Sequence, residues 1–304
     1  QEINPYSELD KNYYIYQEQL NLLLNKPNLV IANTKALLEK FPSEKFYKKN
    51  QLIFKKDASI DYSKIAEILV SYGYKRTTSV SDIGEFALRG DILDIYTLQA
   101  NPVRIEFFAD TIEDIRFFNP VSQKSFEHVD KITIYPLYKF ILNDKNKNNF
   151  INSIKVNSND DEFRVKIKNE LIEKIAEIGY FEGIEYYQNY FIDEINSVFD
   201  YFKDYIIIFK ESSSVFSKYE NLDMTYIQSY QDAVESNFKL ELNCLNHFNN
   251  SEFLNNIKAF KTISIDNFLT ENYDKLIEFN TSLPPIFSSN VDNIAKYIKK
   301  SLNE

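Results

Sequence analysis

Hydrophobic positions along this chain follow two periods, and the change between them divides it. In residues 11–25, Ile15, Leu20, Leu23 and Leu24 fall at helical spacing, and the pattern stops before Pro27. The apolar run at 28–32 predicts a short buried strand, and Thr34 is placed to cap a second helix that runs through Leu38 and ends at Pro42. Residues 51–54 predict a strand, and Ile65, Ile68 and Leu69 a helix stopped by Gly73. Helix and strand therefore alternate to about residue 72, as in an α/β layer.

From Gly84 the period falls from 3.6 to 2. Residues 85–89, 91–96, 103–108, 112–118 and 131–135 are short, closely spaced strand candidates, which predicts an antiparallel sheet or meander. The Asn-, Lys- and Asp-rich stretch at 142–160 reads as a loop, and Phe163, Ile167, Leu171, Ile175 and Ile178 as a helix closed by Gly179. Residues 205–209 predict another buried strand; 239–242 and 261–265 predict two more, separated by a helix. The expected fold class is α/β: a discontinuous α/β domain holding an inserted, small antiparallel β domain. Its segments would be 1–71, the insertion at 72–136, a return at 137–270, and the start of a further domain at 271–304.

Composition narrows the chemistry. With 304 residues, 44% of them hydrophobic, the chain can bury a sizeable core. No apolar run approaches the roughly eighteen residues that span a bilayer, so a cytoplasmic protein with no membrane partner is expected. The single cysteine, Cys244, rules out an internal disulfide and reads as a buried apolar filler; the only methionine is Met224, as expected for a piece of a longer chain. A net charge of −10 opposes phosphate backbones. None of the five glycines precedes a lysine, so no phosphate-cradling loop is present. His128 and His247 lie far apart, and His247, three residues from Cys244, reads as a packing residue. No Gly-x-Ser-x-Gly elbow exists, and Asp160–Asp161 reads as a loop or helix start. The expectation is a protein without catalytic residues, cofactor or metal.

Arginine usage is uneven. Four of the five arginines, Arg76, Arg89, Arg104 and Arg116, fall between 72 and 136, where a planar fork suits capture of a partner's carboxylates. Strand alternation turns Val103, Ile105 and Phe107 inward and leaves Arg104, Glu106 and Phe108 outward; in the preceding strand, Phe86 and Leu88 are inward and Arg89 outward. Two readings stand: Phe108 anchors a partner among the arginines, or a neighbouring loop covers it and the arginines form ordinary surface ion pairs.

Residues Gly84-Glu85-Phe86-Ala87-Leu88-Arg89-Gly90-Asp91-Ile92-Leu93-Asp94-Ile95, with Pro102-Val103-Arg104-Ile105-Glu106-Phe107-Phe108-Ala109-Asp110, resemble domain 2 shared by UvrB and the bacterial transcription-repair coupling factors. The resemblance continues through Ile112-Glu113-Asp114-Ile115-Arg116, Ser122-Gln123-Lys124-Ser125 and Ile134-Tyr135-Pro136, and resumes at 183–187 and 199–202. Residues 28–42 and 72–76 look like the same family. In UvrB a metal-holding Asp-Glu-Ser-His motif follows a buried strand and a long damage-probing hairpin is present; here the strand is followed by Lys210-Glu211-Ser212-Ser213, and the hairpin is reduced to a segment near Pro5-Tyr6. That is similar to the degenerate UvrB-like region of a coupling factor, and Leu283-Pro284-Pro285 with a helix from Val291 resembles the start of its third domain.

The resemblance implies a module that recruits UvrA through domain 2, the contacts carrying over to Arg89, Arg104 and Phe108, with Glu106 beside them. RNA polymerase and double-stranded DNA would be bound by other domains of the full-length protein. A masking C-terminal domain would be among these, so binding by this fragment is expected to be constitutive. Charge reversal at Arg89 or Arg104 is expected to abolish the complex without unfolding the chain. The alternative is an ATP-dependent, DNA damage-binding subunit of UvrB type.

Overall fold

The computed structural model describes residues 13–98, 101–236, 239–268, 274–279 and 291–302. Helix α1 (Tyr13–Asn25) leads to a single 3₁₀ turn at Thr34–Leu37, strand β1 (Phe41–Pro42), helix α2 (Glu44–Lys49), strand β2 (Leu52–Lys55) and helix α3 (Tyr62–Ser71). Three expectations fail here. Residues 28–32 form no strand and leave Leu29 71% and Ile31 89% exposed. Asn33, not Thr34, caps the turn, its Oδ1 accepting from Ala36 N at 3.0 Å. Pro42 ends no helix; it continues an extended pair with β10 (Ile195–Asn196), because proline tolerates an edge strand. At the end of α3, Gly73 takes φ +89°, and a Cβ there would come within 2.7 Å of the Tyr138 ring.

The period-2 region forms one six-stranded sheet of β3 (Lys75–Arg76), β4 (Glu85–Arg89), β5 (Ile92–Ile95), β6 (Val103–Phe108), β7 (Thr111–Phe118) and β8 (Ser125–His128), in chain order. All its pairings are antiparallel except β3 with β4. Residue 131 opens another strand, β9 (Lys131–Ile134), which leaves this meander for β2, setting Ile134 opposite Leu52 and Ile132 opposite Phe54. All four of these side chains are buried, which is what selects that partner.

Beyond the sheet, half of the stretch expected to be loop is helix α4 (Asp144–Ser153), nucleated by a reciprocal cap between Asn143 and Asn146. Helix α5 (Glu162–Glu173) starts on Asp161, whose Oδ1 accepts from Arg164 N at 2.7 Å, and closes through a wider turn at Lys174–Ile178. A further short helix, α6 (Val198–Tyr201), precedes β11 (Ile207–Lys210), α7 (Ser212–Glu235), α8 (Asn250–Ile257) and β12 (Thr262–Ile265). Strands β11 and β12 are parallel, the α/β feature expected of this half. Residues 239–242 form no strand, although Leu240 and Leu242 are buried.

The chain is thus a mixed α/β protein. Residues up to Asp266 make one compact unit, with a continuous core that joins Leu69, Phe86, Ile105, Ile134, Phe150 and Tyr187. Asn267 to Glu304 form a second unit; its helix α9 (Val291–Ser301) buries none of its residues.

Candidate functional site: the charged face of the six-stranded sheet

Cross-strand register sorts the sheet into two faces. Phe86, Ile95 and Val103 lie opposite one another on one face, as do Leu88, Leu93, Ile105 and Ile115, and this face belongs to the core. The other face carries Ala87, Asp94, Arg104, Arg116 and His128 in one row and Arg89, Ile92, Glu106 and Asp114 in the next. Gly90, at φ +59°, makes the two-residue turn that places Arg89 at the rim.

At the end of this face, β6 is fixed against the first helices. Phe107 is buried with its ring centroid 4.9 Å from Tyr62 and 6.2 Å from Phe54, while Tyr62 donates its hydroxyl to Gly90 O at 2.5 Å. The register with β7 skips Glu113, a bulge in β7 that sets the buried Ile112 opposite Phe107. Phe108, the next residue of the alternating strand, faces out and stands 72% exposed. A second bulge at the β7–β8 pair puts Phe126 out, where it stacks on Phe117.

The expected residues are brought together, and a residue not singled out from the sequence organises them. Asp94 is fully buried, at 0% exposure, between Arg89 and Arg104. Arg104 grips it with both arms of its fork, Nε donating to Oδ1 at 2.6 Å and Nη2 to Oδ2 at 2.9 Å, and Arg89 donates from Nη2 to Oδ2. The Arg104 guanidinium lies over the Phe118 ring, 4.7 Å from its centroid, and only 15% of the side chain is exposed; for Arg89 the figure is 48%. Arg104 is therefore outward by strand alternation but mostly covered. A glutamate there would face the buried Asp94, so reversal at Arg104 tests the fold before it tests any complex.

Arg104 and Arg116 are directly opposite, an arrangement that repels unless each is drawn to its own carboxylates. Arg116 bonds Glu106 through Nη2 and Asp114 through Nη1, and His128 Nδ1 lies 2.9 Å from Asp114 Oδ1. The bond from Arg116 holds the Glu106 carboxyl below its ordinary range; Asp114, although partly desolvated, is also held low by His128 and Arg116. Three guanidinium groups thus meet three carboxylates on one face. The face is a balanced mosaic, not a positive patch, and both readings of the sequence hold in part: the arginines are ion-paired, and Phe108 is uncovered.

The signal for Asp94 was in the sequence. An aspartate among Ile92, Leu93 and Ile95, facing an arginine across the sheet, is a buried charge that needs a partner. The other residues considered for chemistry lie elsewhere. Lys210 ends β11 and is exposed; the following helix start is held by Asp266, which accepts from Ser212 N at 2.6 Å and from Ser212 Oγ at 3.1 Å. Cys244 is exposed, contrary to the expected buried filler, because it sits in an irregular segment whose Leu245 and Asn246 face inward. His247 is buried, 2.8 Å from Asp223, and among the described residues no cluster of three or more metal-ligating side chains occurs. No described helix is long and apolar enough to cross a membrane.

With this geometry in place, comparison with known families is direct. Residues 52–140, from β2 through β9 and slightly beyond, match the UvrB interaction domain. UvrABC system protein B of Thermotoga maritima is 34% identical over 173 residues, covering 50% of this chain and 26% of that protein. The transcription-repair-coupling factor of Rickettsia typhi is 31% identical over 193 residues, or 62% of this chain and 16% of the relative; that of Rickettsia prowazekii is 27% identical over 308 residues, or 98% and 26%. The resemblance seen in the motifs is therefore shown, in a segment similar to the UvrB interaction domain and in wider similarity to UvrABC system protein B and transcription-repair-coupling factors. The matches span about a quarter or less of the length of these relatives.

Proposed function

We propose that this chain is a non-catalytic docking module that recruits UvrA in transcription-coupled nucleotide excision repair, through the charged face of its UvrB interaction domain. The observation that carries the reading is the grouping of Arg89, Arg104, Glu106 and Phe108 on one face, with the aromatic ring uncovered and the charges preset by cross-strand pairs. Fixed, already desolvated charge pairs around an exposed ring suit a protein partner, because little side-chain freedom is lost on binding. The rest of the first unit is the degenerate remainder of a discontinuous helicase-like domain, with Lys210 in place of a magnesium-holding aspartate, and RNA polymerase and DNA are bound by other parts of the longer protein. The absence of a Gly-Lys phosphate loop and the net charge of −10 support a module without ATPase or DNA-binding activity of its own.

Titration calorimetry of the purified chain with UvrA tests this. Arg89→Glu and Phe108→Ala are the variants of choice, since both side chains are at least half in solvent or close to it and neither substitution should disturb the fold. Each is expected to weaken the complex at least about tenfold, or roughly 1.4 kcal/mol. Unchanged affinity in both variants would refute the assigned face. Nucleotide binding by the chain would favour the alternative, a UvrB-type ATP-dependent subunit.

A further inference from the structure

Asp94 contacts no solvent, yet it touches both arginines of the proposed docking face. An ionised carboxylate at the centre of a sheet is strongly unfavourable unless its lone pairs are taken up, and here they are taken up by three guanidinium N–H groups. The neighbouring positions do not call for a charge. Ala87, directly opposite on β4, belongs to a small apolar cluster with Val80 and Phe118, and an apolar side chain at position 94 would extend it. What the carboxylate adds is geometry. Arg104 is clamped between Asp94 and the Phe118 ring, its Nη1 reaching Gln123 O at 3.4 Å, and Arg89, rooted at the solvent rim, is drawn back across the sheet to the same oxygen that Arg104 Nη2 uses. A long side chain that is half exposed would otherwise sample many rotamers, and ordering it on binding would weaken the complex.

We propose that Asp94 is the positioning residue of this face: its buried carboxylate holds Arg89 and Arg104 in the orientation a partner's acidic group meets, without touching the partner itself. This rests on the docking reading above and assigns its specificity to a residue beneath the surface. It also defines the partner chemistry. Because the face is charge-balanced, the complementary segment is not a uniformly acidic stretch; it presents a carboxylate to the Arg89 rim, a cationic or neutral group to Glu106, and an apolar socket to Phe108.

Asp94→Asn alone leaves Arg104 facing an amide that cannot take up its fork, so the variant used is the pair Asp94→Asn with Arg104→Gln, two neutral amides able to bond each other, compared with Arg104→Gln alone. Far-UV circular dichroism establishes that both are folded at the temperature of measurement. Affinity for UvrA is expected to be at least fivefold weaker in the paired variant, and that difference is expected to vanish when Arg89→Ala is added to both, because Asp94 acts through Arg89. Equal affinity of the paired variant and Arg104→Gln overturns the proposal. So does a difference that persists in the Arg89→Ala background, which would mark Asp94 as a folding residue only. If Arg89→Glu and Phe108→Ala already bind UvrA as the wild type does, the docking face itself is wrong and Asp94 loses this role with it; loss there without loss in the Asp94 comparison removes the positioning role alone.

Discussion

Two aspartates among the described residues are buried, Asp94 and Asp223, and their partners differ in kind. Asp94, in the segment that matches the UvrB interaction domain, is paired with two guanidinium groups, one of which reaches the solvent rim. Asp223, on α7, accepts from Asn250 N at 2.8 Å and lies 2.8 Å from His247, whose ring meets the edge of Tyr226. The first arrangement hands charge to a solvent-facing surface; the second sews α7 to the start of α8 and exposes almost nothing. A buried carboxylate thus supports display where its cation reaches the rim, and acts as a fastener where its partner is enclosed.

The largest effect expected from this contrast is at Asp94. Asp94→Ala removes one partner of a buried pair and leaves the covered Arg104 fork unmatched, and it is expected to cost about 3 kcal/mol of unfolding free energy, read by urea denaturation. A loss under 1 kcal/mol would mean that the guanidinium groups find other acceptors and that the cluster is loose.

The next effect separates the two aspartates by pH. Burial pulls the His247 imidazole below its ordinary value of 6.5; Asp223 and Glu252 push it up, Lys40 pushes it down, and burial prevails. A folded-state value below the unfolded one means that the unfolded chain takes up the proton first as pH falls. The stability tied to neutral His247 is therefore complete above about 6.5 and is lost below it, down to the folded-state value, with a slope of at most about 1.4 kcal/mol per pH unit. Melting curves between pH 7.5 and 5.5 should show this slope in the wild type and a flatter profile in His247→Gln. A slope that survives the substitution would assign it to other groups.

The smallest effect is at His128, which also lies against an aspartate, Asp114, but is 71% exposed. His128→Ala is expected to change stability by less than about 0.5 kcal/mol. A larger loss would show that the Glu106–Arg116–Asp114–His128 network is cooperative and that the whole charged row, not Asp94 alone, rigidifies the face.

The contrast also separates what was legible in the residue pattern from what was not. Strict alternation in 85–118 identified the inward Phe86, Val103, Ile105 and Phe107 and the outward Arg89, Glu106 and Phe108, because a strand with one wet face encodes its orientation locally. Gly73 and Gly179 marked the ends of helical patterns for the same local reason, their φ values being positive. The run at 205–209 was recognisable as a strand, but its burial was not: Ile206 and Ile208 are exposed, as are Ile263 and Ile265 of the parallel strand β12 at 50% and 62%. A continuous apolar run carries no information about which face is covered. The expected strands at 28–32 and 239–242 failed because a short segment with a few apolar residues fits a loop as well as a ladder, and only a pairing partner decides.

By itself the sequence determined the sheet, its two faces, the concentration of arginine upon it and the family resemblance, since each is written in neighbouring residues or in a motif. Only the tertiary structure decided that Arg104 is covered, that Asp94 binds two strands' arginines at once, that β9 pairs with β2, and that a bulge at Glu113 sets Ile112 opposite Phe107. These depend on register and on contacts between residues far apart in the chain, and a one-residue shift in pairing would reverse every one of those faces without changing a letter of the sequence.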